Sequence, residues 1–283
     1  MIYIPFIGAL ALGVGTIWEK ILLRKKKMDI GTYQTISFLS IIILMLPLLF
    51  FFWKLDSQIF ELKNILIFLG IIICAVVANI FALYSLKGDK VTKTEPARVI
   101  EPVFVILIAL ILSLFIEEFE TSSSKFILPA LIAGLAIIFP HIKKGNIKFN
   151  KYFTAALIAS FLFALELTLS DLILSFFTPI SFYLIRCVFI FVISAFIFKP
   201  KLTQIDKKTS LNILLIGIVW ISYRIAVYFG YIRYGVMFTT LITMMAPIMI
   251  YLLASIFLKE KLNWKNILSS IIITGCVIYS VLI

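Results

Sequence analysis

The amino-acid sequence predicts an all-α integral membrane protein of ten transmembrane helices, set out as two five-helix halves. Three observations lead there. Of 283 residues, 63% are hydrophobic and 14% charged, whereas a soluble domain is usually about half apolar and about a quarter charged. No soluble core of this length hides so much apolar surface, so lipid must act as the solvent. The apolar residues fall in runs near the roughly 20 that span a bilayer as helix. The runs also repeat. Residues 79–102 lie over 224–247 without a gap, with Asn79 on Arg224, Tyr84 on Phe229, Thr94 on Thr239 and Pro102 on Pro247. Internal repetition in a membrane chain is the mark of repeat-built transporters.

The first helix is placed at 3–23. No basic stretch precedes it and no small-residue cleavage site follows, so it is expected to be retained rather than removed as a signal peptide. The basic linker Arg24–Asp29 leads to helix two at 30–53, and Lys54–Lys63 to helix three at 64–86. Helix four, 92–116, carries Pro102, and helix five, 124–141, carries Gly134. The linker Ile142–Lys151 divides the halves, 1–149 and 150–283. Helices six (152–174) and seven (178–198) are separated by a minimal break, helix eight (210–231) follows Lys199–Thr209, and helix nine (236–258) carries Pro247. Helix ten, 264–283, holds Gly275. The halves end alike. After the proline, Ser113-Leu114-Phe115 or Ser255-Ile256-Phe257 leads to an acidic turn at Glu118 or Glu260, then to the glycine-bearing helix. Periodicity does not single out these elements, because a helix between lipid and protein is apolar nearly all round. Run length and the absence of strand alternation do, and backbone in lipid must bond to itself. Ten spans use nearly all the chain, leaving no room for a soluble catalytic or regulatory domain.

The net charge is +12, but the lysines sit in short clusters between apolar runs. That is a topology signal, not the contiguous patch of a nucleic-acid binder. Loops after helices one, three, five, seven and nine hold eighteen basic residues; the other side holds Lys54, Lys63, Lys125 and Arg233. The positive-inside rule then puts the eighteen in the cytoplasm and both termini outside. Cys74, Cys187 and Cys276 all lie in apolar runs, odd in number and with no metal-site spacing. The single histidine, His141, sits at a helix end. Neither a metal nor an organic cofactor is expected. Without clustered ligands or a nucleophile with its acid/base pair, the chain does not read as an enzyme.

The informative residues are charges inside apolar runs. Arg98, Arg186 and Arg224 fall there, with Glu19, Glu95, Glu101, Glu166 and Asp171 as available counter-charges. A charge at mid-bilayer costs about 2.5 kcal/mol or more and usually faces a cavity or a partner. Glu95, Arg98 and Glu101, three apart, share one broad side of helix four, where Pro102 removes a helix donor and exposes backbone. They either line a solute path, or cap and snorkel at the interface. Glu166 has no local counter-charge and needs a partner from another helix or a proton; Arg186 and Arg224 are the candidates. Trp220, Tyr223 and Arg224 offer stacking and positive charge, and Asn79 is the repeat counterpart of Arg224. Tyr228 and Tyr231, near a helix end, suit interface anchors. Ala130-xxx-Gly134 and Ser270-xxx-Thr274 are small-residue stripes that either pack helices five and ten within a protomer or form the seam of a homodimer.

The two repeat ends, Glu101-Pro102-Val103-Phe104 through Glu118 to Gly134 and Met245-Ala246-Pro247 through Glu260 to Gly275, resemble the drug/metabolite transporter superfamily, specifically its EamA-like ten-helix members. Trp18 and Arg186 sit where that family tends to have Trp and Arg. The resemblance implies two inverted five-helix repeats around a central cavity; an odd number of helices per repeat turns the second copy upside down. It implies substrates among amino acids, metabolites, nucleotide sugars and drugs. Family members are commonly drawn with both termini inside, against the lysine distribution here. The expected function is a secondary active transporter of small polar metabolites, amino acids or drug-like solutes across the cytoplasmic membrane, in the export direction. Alternating access would be coupled to protons or another ion. Expected site residues are Glu19, Asn79, Glu95, Arg98, Glu101, Glu166, Arg186, Trp220, Tyr223 and Arg224. The alternative is a flippase or carrier for lipid-linked or amphipathic substrates.

Overall fold

The computed structural model describes residues 3–26, 28–98, 100–115, 127–138, 150–200, 205–259 and 264–282. Its long elements among these residues are helices. The first half contributes α1 (Tyr3–Lys26), α2 (Ile30–Phe52), α3 (Leu62–Gly88), α4 (Val91–Arg98), α5 (Glu101–Ser113) and α6 (Ile127–Ile138). The second contributes α7 (Lys151–Leu174), α8 (Pro179–Phe198), α9 (Lys207–Tyr234), α10 (Val236–Thr243), α11 (Ala246–Leu258) and α12 (Trp264–Leu282). Among the described residues, seven spans are long and apolar enough to cross a membrane: α1, α2, α3, α7, α8, α9 and α10–α11 taken together. Three shorter apolar helices lie in α5, α6 and α12.

Helix starts are chemically marked. Asp29 accepts the Thr32 N–H at 3.0 Å ahead of α2. Asn150 accepts the N–H groups of Tyr152 and Phe153 ahead of α7. Thr178 and Ser181 cap α8 reciprocally, with Pro179 in its first turn.

Two expected helices are broken. Helix four divides into α4 and α5, and helix nine into α10 and α11. A proline ring clashes with the carbonyl four residues back. Four back from Pro102 is Arg98, the last residue of α4; four back from Pro247 is Thr243, the last of α10. Both prolines then sit in the first turn of the next helix, where no donor is needed. Arg98 and Glu101 thus belong to different helices, not to one continuous face. The residue opening α5 is Glu101, and its counterpart opening α11 is Ala246.

Helix pairing follows a regular pattern. α3 packs on α7 and α9 on α1; α5 packs on α7 and α11 on α1; α4 packs on α11 and α10 on α5. α2 packs on α8, and α6 on α12. The helices that carry the small-residue stripes thus pack on each other within the protomer. At Gly134 of α6 an added Cβ would lie 2.7 Å from a Val103 methyl, so the α5–α6 approach requires glycine there.

At one end of the bundle two loops pair. The Asp56 N–H donates to the Phe176 carbonyl at 2.9 Å, Thr178 Oγ1 to the Phe52 carbonyl at 2.6 Å and Ser181 Oγ to the Lys54 carbonyl at 2.8 Å. Leu55 and Phe177 form an antiparallel bridge between them. At the other end, Lys20 donates to the carbonyls of Leu86 and Asp89, and Lys87 Nζ reaches the Met28 carbonyl at 2.6 Å. Lys20 thus satisfies carbonyls at the end of α3, and Lys87 one in the linker between α1 and α2.

Candidate functional site

Glu166 lies on α7, fully buried, and draws two helices toward it. Arg186 of α8 places Nε 3.0 Å from Oε1, and Arg224 of α9 places Nη1 3.1 Å from Oε2. The Tyr228 hydroxyl donates to Oε1 at 3.2 Å, and Ser170 Oγ approaches the same oxygen at 3.4 Å. Aromatic faces complete the setting. Arg186 stands 5.7 Å from the Tyr183 ring; Arg224 stands 5.6 Å from Phe163 and 5.4 Å from Tyr223. The carboxylate without a local counter-charge therefore has two, both from other helices, as buried ions require. One carboxylate balances one of two guanidiniums, and Nη2 of Arg186 is buried without a hydrogen-bond partner.

Both arginines also line an internal cavity. The first half adds to the same lining Glu19 on α1, Asn79 on α3, Arg98 ending α4 and Glu101 opening α5. Trp220 and Tyr223 of α9 join the lining. Glu19 faces Tyr33, Arg98 and Trp220. Asn79 turns its amide donor to the Ala75 carbonyl of its own helix at 2.7 Å. The structure thus brings together Glu19, Asn79, Arg98, Glu101, Arg186, Trp220, Tyr223 and Arg224. Glu166 stands behind, in contact with Arg186 and Arg224. The Glu95 side chain lies outside the described residues.

The two halves contribute unlike formal charge to the lining and its immediate backing: from the first half Glu19 and Glu101 outnumber Arg98 by one, and from the second Arg186 and Arg224 outnumber Glu166 by one. In a low-dielectric enclosure such charges act over a longer range than in water.

Sequence reasoning missed part of the lining. Tyr33, Gln34 and Ser37 at the start of α2 face the cavity, and Gln34 Nε2 donates to Ser194 Oγ of α8 at 3.0 Å. The signal was a cluster of polar residues opening an otherwise apolar helix. Tyr228 and Tyr231 are corrections. They are 0% and 4% exposed, so they do not anchor an interface. Tyr228 packs edge-on to Phe182 at 5.0 Å. Its hydroxyl is needed at Glu166, which outweighs the interface preference of tyrosine.

Among the described residues, no group of three or more His, Cys, Asp or Glu side chains is placed to hold a metal ion.

Residues 150–282 match the model of the EamA-like transporter family, which is consistent with the drug/metabolite transporter superfamily. No curated protein matches the sequence. Among solved structures, a crystal structure described only as that of a protein is similar over 99% of this chain and 96% of its own, with a TM-score of 0.70 and 14% identity. At that identity the likeness is one of fold.

Proposed function

We propose that this chain, a membrane protein whose second half is an EamA-like transporter domain, is a secondary active transporter that moves small polar or zwitterionic solutes across the cytoplasmic membrane by alternating access. Its architecture is read as ten spans in two inverted repeats, 1–149 and 150–283, working in the export direction with coupling to protons or another ion. The observation that carries the reading is a cavity lined by both signs of charge, with Arg186 and Arg224 from the second half and Glu19 and Glu101 from the first. The repeat reading draws support from the reciprocal helix pairing and from two breaks at equivalent prolines. Broken helices beside a binding site between repeats are a recurrent transporter design. The carboxylate of a solute would bind Arg186 and Arg224, and its ammonium Glu19 and Glu101. Glu166 holds the arginines in place rather than meeting the solute.

Thermal unfolding of the purified protein tests this against zwitterionic, anionic and cationic solutes of matched size, with short-chain lipid analogues as the competing arm. Zwitterions are expected to raise the unfolding temperature by mass action and to be taken up by proteoliposomes, with Arg224→Gln weakening both. A rise with lipid analogues alone would favour a lipid carrier and overturn this reading. A reporter fused to the C-terminus is expected to be active outside the cell, following the lysine distribution.

A further inference from the structure

At the end of the bundle away from the paired loops, lysines cross between α1 and α3 in both directions. Lys20 lies inside the apolar run of α1 and is buried. Its ammonium donates to the carbonyls of Leu86, in the last turn of α3, and of Asp89, which caps that helix. Lys87, also in the last turn of α3, returns the contact and donates to the Met28 carbonyl in the linker after α1. Glu19, next to Lys20, and Leu83, one turn before Lys87, both line the cavity, so the crossing lies about one turn beyond it. The other side of α3 is held differently. An added Cβ at Gly88 would fall 2.0 Å from the Tyr152 ring of α7, the rings of Tyr84 and Tyr152 lie 5.2 Å apart, and Asn150 Nδ2 donates to the Asp89 carboxylate at 3.0 Å. The end of α3 is thus close-packed on α7 and tied to α1 and its linker by ammonium groups. Bonds of that kind suit a reversible closure. In a dry corner an ammonium bound to carbonyls is held firmly, because losing them leaves a buried charge without oxygen partners. Once water arrives, both partners are solvated and the net gain becomes small. The contact is firm while dry and slight once wet, which favours two states over a graded opening.

We infer that Lys20 and Lys87 form a clasp that closes the lysine-rich end of the cavity along the seam between α1 and α3, with the Lys20 ammonium as its principal member. This rests on the alternating-access reading above and adds to it the place where that face opens.

Thiol labelling of the full-length protein reads the clasp. With Cys74, Cys187 and Cys276 replaced by alanine, Ser37→Cys puts a single thiol in the cavity lining. A charged, membrane-impermeant methanethiosulfonate is then applied to one face or the other of oriented vesicles. Lys20→Met keeps the length of the side chain and removes the ammonium. It should speed labelling from the lysine-rich face by roughly tenfold or more, without speeding it from the opposite face. Lys20→Ala should do the same. Added n-propylammonium, the piece this truncation removes, should then slow labelling again, whereas n-propanol should not. Rescue by the amine alone separates the ammonium from mere packing. Unchanged labelling in both folded variants, an equal rise from both faces, or no rescue by the amine overturns the clasp. Should neither Lys20 variant fold, Lys87→Met, at a half-buried position, carries the test: labelling from the lysine-rich face should rise by about threefold or more, and no rise overturns the clasp. No solute enters these measurements, so a failed clasp leaves the transporter reading standing, and failed uptake leaves the labelling result as it is.

Discussion

Glu166 shows how much one residue in an apolar run discloses. A carboxylate in Phe163-Ala164-Leu165-Glu166-Leu167 must find a cation elsewhere, and only a few arginines share its solvent. That argument reached Arg186 and Arg224 before any geometry. It did not reach the role. With both oxygens facing guanidiniums and Tyr228 bonded to one of them, Glu166 is a keystone between α7, α8 and α9. Glu166→Gln leaves two buried guanidiniums without their anion, and removing one partner of a buried pair costs about 3–5 kcal/mol. The expected outcome is a markedly lower unfolding temperature, with solute exchange and gradient-driven uptake lost together. Exchange that survives while gradient-driven uptake fails would instead make Glu166 a proton carrier. Tyr228 was illegible because burial of a tyrosine near a helix end depends on a hydroxyl partner 62 positions away along the chain.

At the scale of elements, proline and glycine carry the message. Pro102 and Pro247 were visible as punctuation, and the carbonyl four residues back marks where each helix stops. Glycine matters most at Gly235, between α9 and α10, where φ is 80° and ψ 166°. That region is essentially closed to side chains and costs another residue about 1–3 kcal/mol. Gly235→Ala is expected to lower stability by that amount in a denaturant or thermal titration, whereas Gly275→Ala, whose added Cβ meets nothing within 4 Å, should be close to neutral. The sequence placed Gly235 in a linker but could not show that the linker is a single residue. Polar residues opening α2 were equally visible, yet composition alone does not tell a cap from a cavity wall.

Across the whole molecule, the loops around Leu55 and Phe177 pair at one end of the bundle; under the proposed alternating access, release toward that side would require them to part. An antiparallel bridge sets Cα atoms about 4.5–5.5 Å apart, within disulfide range. In a background with Cys74, Cys187 and Cys276 replaced by alanine, Leu55→Cys with Phe177→Cys should therefore crosslink under oxidation. Transport is expected to stop and to return on reduction, while solute binding persists; undiminished transport by the crosslinked protein would place the moving barrier elsewhere. No single segment announces this pairing, because it joins two loops far apart in sequence through backbone groups. The difference between Glu101 and Ala246, at equivalent positions after the two breaks, reaches further. For a carrier working by the proposed alternating access, this difference removes one equivalence between the halves, so its inward-facing and outward-facing empty forms should differ in free energy. The rarer form binds with an apparent affinity reduced by its own population, so half-saturation should differ between the two faces of the membrane even for one solute and one set of contacts. A preferred resting side is the expected consequence.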